Sequence, residues 1–167
     1  MSMDEIIAFV DALGGVLTLR PGPGDGTPEL AWGDAFFYYS PDGAVPTATQ
    51  PFATIVTKNY PGDETSGLDR PGAFRVNIAA GRDEFVRRLG HGPGAPAAAP
   101  DAATDAATDG ARAAATDVLI AHPVYGAQAW LAVVEPGPRT GTAVRDLLRR
   151  AHELAKNRYE RRAAAER

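Results

Sequence analysis

Cationic, amide, imidazole and phenol side chains collect in three stretches of this sequence: a long loop, the strand that follows it, and a later tight turn. If the strand after the loop and the strand before the tight turn are neighbours in the fold, these groups converge on one place. Positive charge beside hydrogen-bond donors is the chemistry that holds a small anionic ligand. The candidate ligand-binding residues are Lys58, Tyr60, Arg75, Asn77, His122 and Tyr125.

The loop from Lys58 to Gly72 has the strongest local signals. The loop is predicted to contain two type II turns. Each has Pro-Gly at its centre, in Tyr60-Pro61-Gly62-Asp63 and in Arg70-Pro71-Gly72. Long shaped loops often carry function. The alternative is that the charged side chains only stabilise the turns of the loop through hydrogen bonds and ion pairs. Exposed charged residues usually have such a structural role, which favours this alternative. These residues are Asp63, Asp69 and Arg70.

His122 ends a predicted strand beside a tight turn that also carries Tyr125 and Gln128. An imidazole in this position can contact a ligand or act as an acid or base, and it can equally be a hydrogen-bonded packing residue. The other histidines are His91, in a low-complexity insert, and His152, in the last helix. No histidine stands in His-x-His or His-Glu-x-x-His spacing, so the sequence predicts no metal site.

Several common chemistries are missing from the sequence. The chain has no cysteine, which excludes a thiolate nucleophile and cysteine-ligated metal sites. Its three serines stand outside any Gly-x-Ser-x-Gly motif. The glycine-rich run at 21–26 lacks Gly-Lys-Ser/Thr and leads toward a strand, so no helix N-terminus follows to hold a phosphate. We therefore expect no serine hydrolase, no phosphate-binding loop and no cofactor.

Length and composition indicate one globular domain over residues 1–167. The chain has 167 residues, of which 44% are hydrophobic and 23% are charged, as in ordinary single domains. An insert at about 91–116 is the exception. It is built from Gly, Pro, Ala, Asp and Thr, with Ala-Ala-Thr-Asp written three times. Because it lacks a large apolar anchor, we predict that it is mobile.

The charge pattern bears on location and partners. The N-terminus, Met1-Ser2-Met3-Asp4-Glu5, is acidic where a secretory signal would be basic, and no apolar run approaches the roughly 20 residues that span a bilayer. We therefore expect a cytoplasmic protein with no membrane partner. The net charge of −4 weighs against nucleic acid, although the last helix is rich in arginine. The oligomeric state is left open.

The hydrophobic pattern predicts the element order α-β-β-β-β-α-β-β-α. Because strands and helices do not alternate strictly, this order indicates an α+β fold. The predicted architecture is an antiparallel sheet of about six strands, packed by an N-terminal helix, a short middle helix and a long C-terminal helix. The predicted helices cover 2–13, 82–89 and 142 to about 162, and the predicted strands cover 16–20, 30–32 with 35–40, 52–57, 73–79, 118–121 and 129–134.

Two strands have further features. The aromatic run Phe36–Tyr39 predicts that the second strand is covered on both faces and lies at the centre of the sheet. In the fourth strand, apolar residues alternate with Arg75 and Asn77, which predicts one core face and one polar face.

A family resemblance rests on five segments: Trp32-Gly33-Asp34, Phe36-Phe37-Tyr38, 52–58, 69–78, and His122-Pro123-Val124-Tyr125-Gly126 before Trp130. They resemble an uncharacterised actinobacterial family known only as a domain of unknown function, over nearly the whole chain outside the insert. More distantly, the strand with Arg75 and Asn77, the hairpin with His122 and the closing helix are similar to the MmcQ/YjbR group. That resemblance implies an α+β fold and, in some members, DNA binding.

Three functional hypotheses follow. The preferred one is a small-molecule or partner-binding module that uses the loop, the strand with Arg75 and the turn after His122. The second is an unrecognised enzyme in which His122 acts as acid or base. The third is a DNA-binding protein of the MmcQ/YjbR type that uses the last helix.

Overall fold

A computed structural model describes residues 1–95 and 111–167 of the chain. Most of the predicted insert at 91–116 lies outside the described residues. At its two ends, Ala95 N donates to Gly92 O at 3.1 Å in a turn, and residues 111–114 form a helical turn.

Three helices of eight residues or more and six strands build the fold in the described part of the chain. The helices are α1 (Met3–Asp11), α2 (Arg82–Leu89) and α3 (Gly141–Ala165). The strands are β1 (Val16–Leu19), β2 (Ala35–Tyr39), β3 (Ala53–Val56), β4 (Arg75–Ile78), β5 (Leu119–Ala121) and β6 (Leu131–Val134). All six strands form one antiparallel sheet in the spatial order β1-β2-β3-β4-β6-β5. The predicted α+β architecture is confirmed.

Two strand predictions are wrong in detail. β2 lies beside the edge strand β1, and the centre of the sheet is β3 with β4. The aromatic run does not mark a strand covered on both faces, because Phe36 and Tyr38 are only half-buried, on the face away from the helices. Leu30 and Ala31 of the predicted strand at 30–32 belong instead to a short 3-10 helix, Glu29–Ala31, that follows Pro28. Proline supplies no backbone N–H for strand pairing and favours such a turn.

The helices cover one face of the sheet. α1 begins after Ser2, whose Oγ accepts a hydrogen bond from Glu5 N at 3.1 Å while Ser2 N donates to the Glu5 carboxylate at 2.6 Å. This reciprocal cap stabilises the first turn. α3 buries apolar side chains at the predicted helical spacing, namely Val144, Leu147, Leu148 and Ala151. In the described ranges, no helix combines the length and the apolarity needed to cross a membrane.

The loop between β3 and β4 covers the opposite face. Val56 and Val134 of the sheet pack with Leu68 of the loop in a second apolar cluster. Arg75 and Asn77 lie on the same face and are only 1% and 2% exposed. The expected polar face of β4 is therefore polar but buried, because the loop closes over it.

Candidate functional site

Arg75 is the centre of a buried hydrogen-bond network beneath the loop. Its Nη1 and Nη2 donate to the two carboxylate oxygens of Asp63, at 2.9 and 2.5 Å, and Nη1 also donates to Ser66 Oγ at 2.9 Å. Its Nε donates to Asn77 Oδ1 at 2.7 Å, and Asn77 Nδ2 donates in turn to Thr54 Oγ1 at 3.0 Å. The bidentate pair with Asp63 balances the guanidinium charge where water does not reach it.

The Asp63 carboxylate is held in its charged form by Arg75. Burial alone raises the pKa of Asp63, but the hydrogen bonds and the charge of Arg75 outweigh burial and leave the pKa below its ordinary value. Because Asp63 occupies both terminal nitrogens of Arg75, an external anion could reach this guanidinium only by displacing Asp63.

Asp63 reaches Arg75 because the loop turns sharply just before it. Asp63 N donates to Tyr60 O at 2.9 Å across Gly62, whose φ is +79°. Farther along, Ala73 N donates to the carbonyl of residue 70 at 3.2 Å across Gly72, whose φ is +75°. A positive φ at the third position is what a type II turn requires. Both predicted Pro-Gly turns are therefore confirmed.

The other charged residues of the loop also bond within the fold. The Asp69 carboxylate accepts a hydrogen bond from Asn59 N at 3.1 Å. Arg70 Nε donates to Gly67 O at 3.0 Å, and its Nη2 pairs with Glu135 at 3.0 Å. These contacts support the interpretation in which the charged side chains pin the loop.

His122 lies against the network, with protein groups next to both ring nitrogens. Nδ1 accepts from the backbone N–H groups of Val124 and Tyr125, both at 3.0 Å, whereas Nε2 lies 3.1 Å from Arg75 Nη2. A neutral imidazole carries one N–H, so acceptance at Nδ1 assigns the proton to Nε2, where two donor groups face each other. Asp63 Oδ2, 4.0 Å from Nε2, supplies the nearby negative charge.

This environment keeps His122 neutral. Burial, followed by the charge of Arg75, lowers the pKa of His122 to about 4, against an opposing effect of Asp63. A second proton would enter at Nδ1, where it would face two backbone N–H groups. The side chain is also closed to solvent, since His122 is only 5% exposed. These features fit a residue that holds the turn after β5.

An aromatic wall lies outside His122. The ring centroid of Tyr125 is 4.9 Å from that of His122, and the Trp130 ring is 6.4 Å from each of them. Tyr125 is 52% exposed, so its ring shields the network from solvent. The structure thus brings together four of the six residues singled out in the sequence, namely Arg75, Asn77, His122 and Tyr125.

The other two, Lys58 and Tyr60, lie in a separate cluster around Asp34. Asp34 is fully buried, and its Oδ1 accepts hydrogen bonds from Thr57 N and Oγ1, both at 2.8 Å. Its Oδ2 accepts from the Tyr60 hydroxyl, and Lys58 Nζ lies 3.6 Å from Oδ1 and donates to Trp32 O. Burial, together with Asp34, raises the pKa of Tyr60 well above its ordinary value. The cluster ties the start of β2 to the end of β3.

We expect Asp34→Ala to lower the free energy of unfolding by about 3 kcal/mol, because it leaves the donors of Thr57 and Tyr60 without an acceptor. Urea unfolding measures the loss. The matched control is Asp42→Ala, which removes an exposed carboxylate that accepts from Ser40 Oγ at 2.8 Å and should cost about 1 kcal/mol. Equal losses in the two variants would contradict a supporting role for the Asp34 cluster.

An open cleft of about 260 Å³ lies at the end of the sheet where β4 stops and β3 and β6 begin. Its lining residues are Gln50, Pro51, Ala79, Gly81, Gln128, Trp130 and Arg158. None of the six predicted residues is among these seven, although Trp130 contacts both His122 and Tyr125. The lining comes from four distant parts of the chain, so sequence spacing could not reveal it.

Arg158 is the cation of this cleft. Burial lowers the pKa of Arg158, and the charges of Arg162 and Arg161 lower it further. Within residues 1–95 and 111–167, no carboxylate pairs with Arg158. Over the same residues, no group of three or more His, Asp or Glu side chains is arranged to hold a metal ion. The cleft therefore combines an uncompensated positive charge with an indole and two carboxamides.

Comparison with known proteins agrees with the resemblance at the level of the family. No curated protein and no solved structure matches the chain. The model of a family of unknown function, DUF6194, matches residues 1–164. Because this match covers nearly the full length, the chain belongs to the DUF6194 family.

Proposed function

We propose that the protein is a binding module for a small organic anion, which enters the cleft lined by Trp130 and Arg158. The observation that carries the proposal is Arg158, which lines a concave site and has no carboxylate partner among the described residues. Arg158 is exposed, so an anion can reach its guanidinium and form charge-assisted hydrogen bonds with it. Trp130 supplies a flat apolar surface and an indole N–H donor.

The size of the cleft limits the ligand. A volume of about 260 Å³ lies just below the range of about 300 to 1,000 Å³ that holds drug-sized ligands. A single ring or short chain with one charged group therefore fits the space. The carboxamides of Gln50 and Gln128 can each donate and accept, so they suit polar substituents on the ligand.

In this proposal the buried network around Arg75 supports the hairpin that carries Trp130. His122 holds the turn after β5 through Val124 and Tyr125, and Trp130 stands at the other end of the same connection. A rigid hairpin would hold the Trp130 ring in position for the ligand. In this arrangement the hairpin is supported by Arg75, Asn77 and His122. The start of β2 and the end of β3 are held together by the Asp34 cluster, which includes Lys58 and Tyr60.

The test uses the fluorescence of Trp130. Trp32→Phe leaves Trp130 as the only tryptophan. In this background we expect phenyl phosphate, benzoate or inorganic phosphate to cause a saturable change in emission. Arg158→Gln should weaken binding at least about tenfold, because it removes the charge-assisted hydrogen bonds of the guanidinium. Titration of both proteins under one buffer condition measures the two dissociation constants.

Arg150→Gln is the matched control. Arg150 is on the same helix but pairs with Glu153 at 3.6 Å, so its loss should leave binding unchanged. The proposal is overturned if none of the three probes binds saturably, or if Arg158→Gln and Arg150→Gln bind alike.

The enzyme hypothesis receives less support. An acid or base needs a ring nitrogen that a substrate can reach, whereas both nitrogens of His122 have protein neighbours and the residue is buried. We therefore assign His122 to the support of the hairpin.

DNA binding, the role implied by the resemblance to the MmcQ/YjbR group, is the second candidate. Arg158, Arg161 and Arg162 share one face near the end of α3 and favour it. Three other basic side chains of α3 pair with acidic ones, in Arg149–Asp146, Arg150–Glu153 and Lys156–Glu160. This leaves a short cationic surface on a chain of net charge −4. Salt-sensitive binding to duplex DNA at about 50 mM salt would support this candidate over the first.

A further inference from the structure

Arg162 lies next to the proposed ligand cleft and is held there by a specific contact. Its Nη1 donates to Thr49 Oγ1 at 2.8 Å. Thr49 immediately precedes Gln50 and Pro51, which line the cleft. The same loop therefore forms one wall of the cleft and fixes the Arg162 side chain beside it.

Arg158 and Arg162 are four residues apart on α3, so they project from the same face of the helix. The charges are close enough for Arg162 to lower the pKa of Arg158. A second concavity, of about 340 Å³, is lined by Arg158, Arg161, Arg162 and Ala165. Because both concavities share Arg158, the cationic surface continues from the cleft along the helix.

The acidic residues of α3 do not cancel this charge. Glu153 pairs with Arg150 at 3.6 Å, and Glu160 pairs with Lys156 at 3.9 Å. Arg158 in the cleft, and Arg161 and Arg162 in the adjoining concavity, therefore have no acidic counterpart among the described residues. Such a density of positive charge exceeds what a monoanion neutralises.

The chemistry of the two common anionic groups differs in this setting. A carboxylate has two oxygens and one charge, and a single guanidinium satisfies both oxygens bidentately. A phosphate monoester has three terminal oxygens and a charge of about −1.5 to −2 at neutral pH. It can therefore pair with one guanidinium and still accept hydrogen bonds from a second.

We propose that the ligand of the cleft is a phosphate monoester, whose phosphoryl group lies between Arg158 and Arg162 while its organic part packs on Trp130. This inference rests on the proposed function, since it names the class of anion bound at the same site. Arg162 is the residue that distinguishes phosphate from carboxylate, and Thr49 positions it.

The test compares phenyl phosphate with benzoate, which share the ring and differ in the anionic group. With the Trp32→Phe protein we expect phenyl phosphate to bind about tenfold or more tightly than benzoate, because it gains charge-assisted hydrogen bonds from a second guanidinium. Arg162→Gln should remove most of this preference and leave the affinity for benzoate nearly unchanged. Thr49→Val, which keeps the size of the side chain, should reduce the preference in part.

The outcomes separate the two proposals. Equal affinities for the two probes, or a preference that persists in Arg162→Gln, would overturn the phosphate assignment while leaving anion binding through Arg158 in place. Absence of any binding that depends on Arg158 would remove the proposed function itself. Arg150→Gln, which changes the charge of the helix by the same amount, controls for a general electrostatic effect.

Discussion

Replacement of Asp63 by alanine is expected to lower the free energy of unfolding by about 3 to 5 kcal/mol, because it leaves a buried guanidinium without its anion. Arg75 is 1% exposed and donates to both carboxylate oxygens of Asp63. The remaining partners of Arg75 are neutral and cannot replace the charge. The loss is therefore expected to exceed that of an ordinary surface ion pair several-fold.

Urea unfolding of Asp63→Ala and of Asp69→Ala at neutral pH measures this effect. Asp69 is in the same loop but is exposed, and its carboxylate accepts from Asn59 N at 3.1 Å. Asp69→Ala should cost about 1 kcal/mol. If the two variants lose equal stability, the buried ion pair does not hold the loop on the sheet.

The double variant Asp63→Ala with Arg75→Met separates charge from packing. It removes both members of the pair and keeps a long apolar side chain on β4, so it should recover part of the stability lost in Asp63→Ala. Recovery would be incomplete, because Asn77 and Ser66 would lose the guanidinium that they now contact. A double variant less stable than Asp63→Ala would show that the charge of Arg75 is not the source of the cost.

Acidification from pH 7 to pH 4 is expected to remove about 3 kcal/mol of stability through His122 alone. In the folded protein, burial and then Arg75 lower the pKa of His122 to about 4, from an ordinary value of 6.5. Between pH 4 and pH 6.5, His122 is protonated in the unfolded chain and neutral in the folded chain. The stabilising effect of a neutral His122 is thus complete above about pH 6.5 and is lost as the pH falls through 4.

His122→Asn isolates this contribution. The Asn side-chain oxygen can still accept from the backbone N–H groups of Val124 and Tyr125, but it does not titrate. We expect the stability of the wild type to fall more steeply than that of His122→Asn between pH 6.5 and 4, in unfolding curves measured at several pH values. Parallel curves would mean that His122 can accept a proton without leaving its site.

Asp63 titrates in a separate range. Its folded pKa lies below the ordinary value of 3.8 because Arg75 outweighs its burial, so its contribution is present above that pH and is lost only at lower pH. The difference between the wild type and His122→Asn that develops between pH 6.5 and 4 therefore belongs to His122, and the loss from the Asp63 pair develops mainly below pH 4.

Much of the fold follows from short-range sequence patterns. The spacing of Val144, Leu147, Leu148 and Ala151 predicts the buried stripe of α3, because helical periodicity repeats every three to four residues. The turns at Gly62 and Gly72 follow from Pro-Gly pairs, because proline fixes one dihedral angle and glycine permits the positive φ of the next residue. The antiparallel pairing from β1 to β4, and of β5 with β6, follows from strands that succeed one another without an intervening α-helix.

The site could be predicted only in part. The sequence predicts that Arg75, Asn77, His122 and Tyr125 gather if their strands are neighbours. In the structure β6 separates β4 from β5, and the long side chain of Arg75 makes the contact, with Nη2 3.1 Å from His122 Nε2. The burial of Arg75, Asn77 and His122 does not follow from the sequence, because the sequence of the loop does not reveal that Asp63 closes over Arg75.

The sequence by itself determined the type of each main element, the turns of the loop and the absence of cysteine chemistry, because each depends on residue identity within a few positions. Only the tertiary structure decided that β2 lies near an edge, that Arg75 is enclosed, and that Trp130 and Arg158 share a cleft. These properties depend on contacts between segments far apart in the chain, and no local pattern encodes which segments meet.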